Sequence, residues 1–101
     1  MAIGDSYLTS VRRYMRLTTT AHDSELSDLI NAARADLVLG GVDRSKAEDE
    51  DDPLILRAVA TYVKAEFGLD NPDAEKYRAS YKEQRNALTL SDSYIKATEE
   101  G

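Results

Sequence analysis

Apolar residues recur at helical spacing in four segments of this 101-residue chain, and no segment shows sustained alternation of apolar and polar residues. Residues three or four apart lie on the same face of a helix, so each segment predicts a helix with one apolar stripe. The four predicted helices cover residues 5–17, 22–39, 53–67 and 72–90. We therefore expect an all-α fold, a small bundle of about four helices followed by a polar C-terminal tail.

Glycine and proline mark where these helices begin and end. Gly40-Gly41 ends the second helix, because glycine adopts a left-handed cap conformation without strain. Asp52-Pro53 begins the third, with an aspartate cap and a proline at the first helical position. Asn71-Pro72 repeats that signal before the fourth, and residues 41–52 are predicted to be a loop. The third helix is the most apolar, and its broad apolar face indicates contact with more than one neighbouring element.

The length of the chain fits one domain rather than two. Hydrophobic residues make up 42% and charged residues 32%, which is typical of a globular protein. We expect a helical domain over 1–90 and a tail over 91–101, ordered by a partner. The predicted core centres on Leu29, Ile30, Val59 and Val63. No apolar run approaches the roughly 20 residues of a membrane span, and the N-terminus lacks a signal-peptide core, so a cytosolic protein is expected.

Few residues are available for catalysis or for metal binding. The chain has no cysteine and a single histidine, His22, so thiolate chemistry and sites that need two imidazoles from one chain are excluded. The pair His22 and Asp23 could perform acid–base chemistry, but a surface position near a helix start is the more common use. No nucleophile lies at a recognisable spacing from it. We assign no catalytic, cofactor-binding or metal-binding residue and do not expect an enzyme.

A single run, Glu48–Asp52, contributes five of the six net negative charges of the chain. Clustered carboxylates attract hard cations, but this run lacks the spacing of a calcium loop. A mobile, metal-free, solvated segment is the expectation, and a repulsive patch beside a channel for a polyanion is an alternative that requires an assembly. The sequence pI of about 4.7 argues against tight binding of nucleic acid by one chain.

The fourth segment and the tail contain more apolar and aromatic side chains than a single narrow stripe facing the core would contain. Tyrosine suits half-buried contact surfaces, because its ring buries area while its hydroxyl keeps a polar partner. We therefore predict a protein interface that stays partly exposed in a single protomer. Its residues are Tyr77, Tyr81, Leu88, Tyr94 and Ile95.

Three stretches of residues 5–90 carry a resemblance to a known family. The first helix ends in Tyr14-Met15-Arg16-Leu17, and a polar link leads to the segment ELSDLINAAR at 25–34. The segment DPLILRAVATYV follows at 52–63, and the last helix contains Tyr77 and Tyr81. The pattern resembles the small helical head–tail connector proteins of long-tailed bacteriophages and prophages, also called adaptor or DNA-packaging proteins.

The resemblance implies a structural virion component that needs no cofactor and no membrane. It implies a ring of about a dozen copies under the portal protein, through which double-stranded DNA passes, with a stopper or tail-completion protein below. The expected location is the head–tail interface of the virion, and the bacterial host cytoplasm during assembly. A cellular helical protein–protein interaction module without catalytic activity is the alternative. The oligomeric state of the purified chain separates the two.

Overall fold

The computed structural model describes residues 3–68 and 71–95, and within these residues it contains five helices. They are α1 (Asp5–Met15), α2 (Asp23–Leu39), α3 (Arg44–Ala47), α4 (Pro53–Glu66) and α5 (Ala74–Thr89). The all-α prediction is confirmed, and the four long helices match the predicted segments to within two residues at each end. The short helix α3 was not predicted, since it lies within the expected loop at 41–52.

The long helices run up and down beside a central α4. Arg12 on α1 donates to Asp23 at the start of α2, with 2.8 Å between Nε and Oδ1. The ring of His22 meets the ring of Phe67 edge-on at 5.4 Å, so the start of α2 lies beside the end of α4. Asp23 is thus held by an arginine across the α1–α2 link. As its apolar face predicted, α4 packs against three helices, α1, α2 and α5.

The core forms where the stripes of α2 and α4 meet. Ile30, Val59 and Val63 are fully buried, as predicted. Leu29 is only half-buried and packs against the edge of the core, so its prediction as a central residue was wrong. Its neighbour Ile30 lies in line with the buried Leu26, whereas one residue of displacement turns Leu29 by about 100° around the helix.

The predicted caps order the ends of the helices. Asp52 Oδ1 accepts hydrogen bonds from the backbone N–H groups of Leu54, at 2.9 Å, and Ile55, at 3.2 Å. Gly41 has a φ of 117°, which a residue with a side chain adopts only with strain. Helix α5 begins at Ala74, two residues later than predicted, because Asn71 closes a turn before it and also donates from Nδ2 to the carbonyl of Lys64 at 2.6 Å.

Two residues of the acidic run, Glu50 and Asp52, form hydrogen bonds within the fold, so the expectation of a wholly solvated segment was wrong. Glu50 Oε2 accepts from Arg34 Nη2 and from the backbone N–H of Gly4, each at 3.0 Å. Arg34 is 1% exposed, and its guanidinium lies 5.0 Å from the centre of the Tyr7 ring. The Gly4 N–H, together with Arg34, lowers the pKa of Glu50. Burial raises the pKa of Tyr7 to about 12, against the opposing effect of Arg34.

The first residues of the predicted tail fold back onto the helices. The Tyr94 carbonyl accepts from the N–H of Asp43 at 2.8 Å, and Ile95 forms an isolated antiparallel bridge with Val42. The Tyr94 hydroxyl donates to Asp52 Oδ1 at 3.2 Å. These contacts hold residues 91–95 without a partner. Residues 96–101 lie outside the described residues, and the division of the chain at residue 90 stays a prediction.

Candidate interaction surface

Tyr81 is a structural tyrosine that ties α5 to α2 and α4. Its hydroxyl donates to Asp36 Oδ2 at 2.6 Å, and Arg85 Nη1 donates to the same oxygen at 2.8 Å. Its ring meets that of Tyr62 edge-on at 5.2 Å. Burial and the neighbouring Asp36 carboxylate raise the pKa of Tyr81, so the hydroxyl stays a proton donor throughout the physiological range.

A groove of about 220 Å³ lies between the start of α4 and the end of α5. We call it the α4–α5 groove. Leu88 forms its floor as part of the core, and the half-buried Tyr94 forms one wall. On the α4 side Leu54 is 50% exposed, beside the exposed Arg57. The lining is mostly apolar with one cation at the rim, a combination that suits an apolar side chain from another protein.

Tyr77 lies at the opposite end of the protomer. The ammonium group of Lys64 is 5.3 Å from the centre of its ring, at a distance typical of a cation–π contact. Tyr77 lines a shallow depression with the exposed Tyr14 and with Phe67. The five predicted interface residues therefore do not form one surface.

The structure brings Leu88, Tyr94 and Ile95 to one end and leaves Tyr77 at the other. Tyr81 and Leu88 are buried within the protomer, so the expectation that they stay partly exposed was wrong. The reason is that α5 packs along most of α4, which covers the thin apolar stripe of α5. That Tyr81 and Leu88 are interface residues stays a prediction. A partner would reach Leu88 only at the floor of the α4–α5 groove.

Sequence reasoning missed the most exposed apolar residues. Leu39 is 86% exposed and Leu90 is 85% exposed, at the ends of α2 and α5. Leu54 lies in the third predicted helix, the most apolar of the four, yet it is 50% exposed. A signal for Leu39 was present in the sequence, since it lies about 200° around the helix from the buried Leu37.

No three histidine, cysteine, aspartate or glutamate side chains within residues 3–68 and 71–95 lie close enough together to hold a metal ion. His22 is exposed and packs on Phe67. None of the helices in the described residues combines the length and the hydropathy that a membrane span requires.

Comparison with known proteins identifies the family. A model of the family described as Phage connector protein matches residues 7–95, a range that includes α2 to α5 and most of α1. Comparisons with curated proteins and with solved structures gave no significant match. The match covers far more than half of the chain and confirms the resemblance carried by the three stretches within residues 5–90. The chain therefore belongs to the phage connector protein family.

Proposed function

We propose that copies of this chain assemble into a ring below the portal protein of a long-tailed phage, at the junction of head and tail. The family match over residues 7–95 is the observation that carries the proposal. A connector is a structural part of the virion, so the chain acts through contacts with other proteins. The same match favours this function over a cellular interaction module.

The surface of the protomer supports such a role. The protomer is elongated, with extents of 48 × 28 × 18 Å, and it presents apolar residues away from its core on more than one helix. Leu39, Leu54 and Leu90 are each at least 50% exposed to solvent. A protein that assembles with copies of itself and with a portal needs separate contact surfaces of this kind.

The charge of the chain supports passage of DNA rather than its capture. The net charge of −6 gives the protomer no excess of cations with which to hold phosphates. Proteins that neutralise many phosphates bind tightly and in a salt-dependent manner, which would slow a moving duplex. We propose that the duplex passes through the ring without base-specific contacts, and that a stopper or tail-completion protein binds the lower side.

The test is a nonsense mutation in the gene for this chain, in the phage or prophage that encodes it. We expect filled heads and free tails that do not join, and recovery of infectious particles when the chain is supplied from a plasmid. Purified chain should also bind purified portal protein in a pull-down. Normal particle yield without the chain, together with no binding to the portal, would contradict the proposal.

A further inference from the structure

The outer face of α2 carries an acidic half and an apolar half. Its residues lie on the side of the helix away from the buried Leu26 and Ile30, and we call them the α2 stripe. The small side chains near its middle let another helix approach closely, and Leu39 protrudes at its end. The members of the α2 stripe are Glu25, Asp28, Ala32, Ala35 and Leu39.

The outer face of α4 has the complementary order. Its residues lie about 140–160° around the helix from the core residue Val59, and we call them the α4 stripe. Leu54 and Arg57 border the α4–α5 groove at one end, and Lys64 is a second cation at the other. The members of the α4 stripe are Leu54, Arg57, Thr61 and Lys64.

The two stripes lie on opposite faces of the protomer. Helices α2 and α4 pack against each other through the core, and each stripe points away from that core. A protruding side chain on one face and a groove on the opposite face form a heterologous pair. Such a pair joins copies head to tail, and it closes into a ring when the rotation between copies permits.

The acidic end of the α2 stripe and the Lys64 end of the α4 stripe correspond in height and in charge. At the other end Leu39 extends about one helical turn beyond Leu54, because Glu25 to Leu39 spans 14 residues and Lys64 to Leu54 spans 10. The contact of His22 with Phe67 sets the start of α2 beside the end of α4, so Glu25 is level with Lys64. The bond between Asp43 and the Tyr94 carbonyl, with the Tyr94 hydroxyl on Asp52, sets the other two helix ends together. In a ring whose axis is parallel to the helices, equivalent residues of neighbouring copies lie at the same height along that axis.

Among the described residues, the charges on the two stripes form no ion pair with one another, although the Lys64 ammonium also lies 5.3 Å from the centre of the Tyr77 ring. Within the part of the chain that the structure describes, no ion pair involves Glu25, Asp28, Arg57 or Lys64. Exposed ion pairs contribute little affinity, but they set register and orientation. Affinity would come from the burial of the apolar Leu39 in the groove.

We infer that neighbouring copies of this chain associate through these two faces. Leu39 of one copy enters the α4–α5 groove of the next, beside Leu54. Glu25 of the first copy then lies level with Lys64 of the second, and Asp28 lies at a height between Lys64 and Arg57. This inference rests on the proposed ring and adds which faces of the protomer form it.

Complementation between two blocked variants tests the inference. Leu39→Lys removes the protruding side chain, and Leu54→Glu places a charge in the groove of an otherwise unchanged chain. Each variant alone should self-associate more than about tenfold more weakly than the parent in sedimentation velocity. An equimolar mixture should form one-to-one pairs, because the intact Leu39 of one variant meets the intact groove of the other.

Leu90→Lys is the matched control. Leu90 is as exposed as Leu39 but lies outside both stripes, so this variant should assemble as the parent does. Circular dichroism melts of all three variants check that each of them folds. If both blocked variants assemble like the parent, or if their mixture does not associate, the inference is overturned and the ring survives. A parent that stays monomeric also overturns it, and the portal pull-down then decides the proposed function.

Discussion

Replacing Glu50 with glutamine tests whether the acidic run is part of the folded structure. The carboxylate accepts from the buried Arg34 guanidinium and from the Gly4 N–H, each at 3.0 Å. Glutamine keeps the size and one acceptor oxygen but removes the negative charge. In the variant, Arg34, which is 1% exposed in the parent structure, therefore keeps only a weaker, uncharged partner at this position.

The expected loss of stability follows from those two contacts. A hydrogen bond to a charged group contributes about 1.5–3 kcal/mol, and the Glu50 side chain is 33% exposed, so solvent screens part of this. Because glutamine retains some hydrogen bonding, we expect the free energy of unfolding to fall by about 1–3 kcal/mol. For a domain of this size, that lowers the melting temperature by roughly 5–15 °C.

The lowered pKa of Glu50 determines how the stability difference between the parent and Glu50→Gln changes with pH. The Gly4 N–H and Arg34 hold the pKa of Glu50 below its ordinary value of 4.5. A carboxyl with a lowered pKa in the folded state stabilises the protein above its unfolded pKa, and this is lost as the pH falls through the folded pKa. The difference between parent and variant should therefore be full at pH 7 and shrink in acid below pH 4.5.

Urea denaturation at several pH values, followed by circular dichroism, is the assay. Glu48→Gln is the matched control, because Glu48 makes only an exposed pair with Arg44 at 3.5 Å and should cost less than about 0.5 kcal/mol. In an Arg34→Met background, the remaining effect of Glu50→Gln reports the Gly4 contact alone. Equal small losses for both glutamine variants, or a difference that persists in acid, would refute the reasoning.

Three further predictions concern stability in denaturant melts. Tyr81→Phe should lower the free energy of unfolding by about 1–2 kcal/mol, because it removes the hydroxyl that binds a carboxylate on α2; no loss would show that this bond is not formed in solution. Asp52→Ala should cost about 1 kcal/mol as a lost helix cap, whereas the exposed Asp51→Ala should change stability by less than about 0.5 kcal/mol. Ile30→Ala should cost about 2–5 kcal/mol and the half-buried Leu29→Ala distinctly less, and the reverse order would show that the register of α2 is misplaced.

Local signals predicted the helices well. The Asp52-Pro53 pair and Gly41 act within one turn of backbone, so their residue types alone determine a start and a stop. Apolar periodicity likewise located the core at Ile30, Val59 and Val63. These features depend on neighbours in the sequence.

Contacts between distant residues could not be predicted in the same way. Glu50 reads as one of five adjacent acids, and only the fold brings it to Arg34 and to Gly4. Tyr81 reads as an amphipathic surface residue, and it is buried because Asp36, 45 residues earlier, supplies an acceptor for its hydroxyl. The candidate surface was missed for the same reason, since the groove beside Leu54 exists only where two helices meet.

Native mass spectrometry of the purified chain, alone and after mixing with portal protein, tests the central claim most directly. A connector that works as a ring should give one discrete high-mass species with a fixed number of copies, and this species should carry the portal when it is present. The Leu39→Lys variant should shift the distribution towards monomer. A chain that remains monomeric under both conditions would contradict the account.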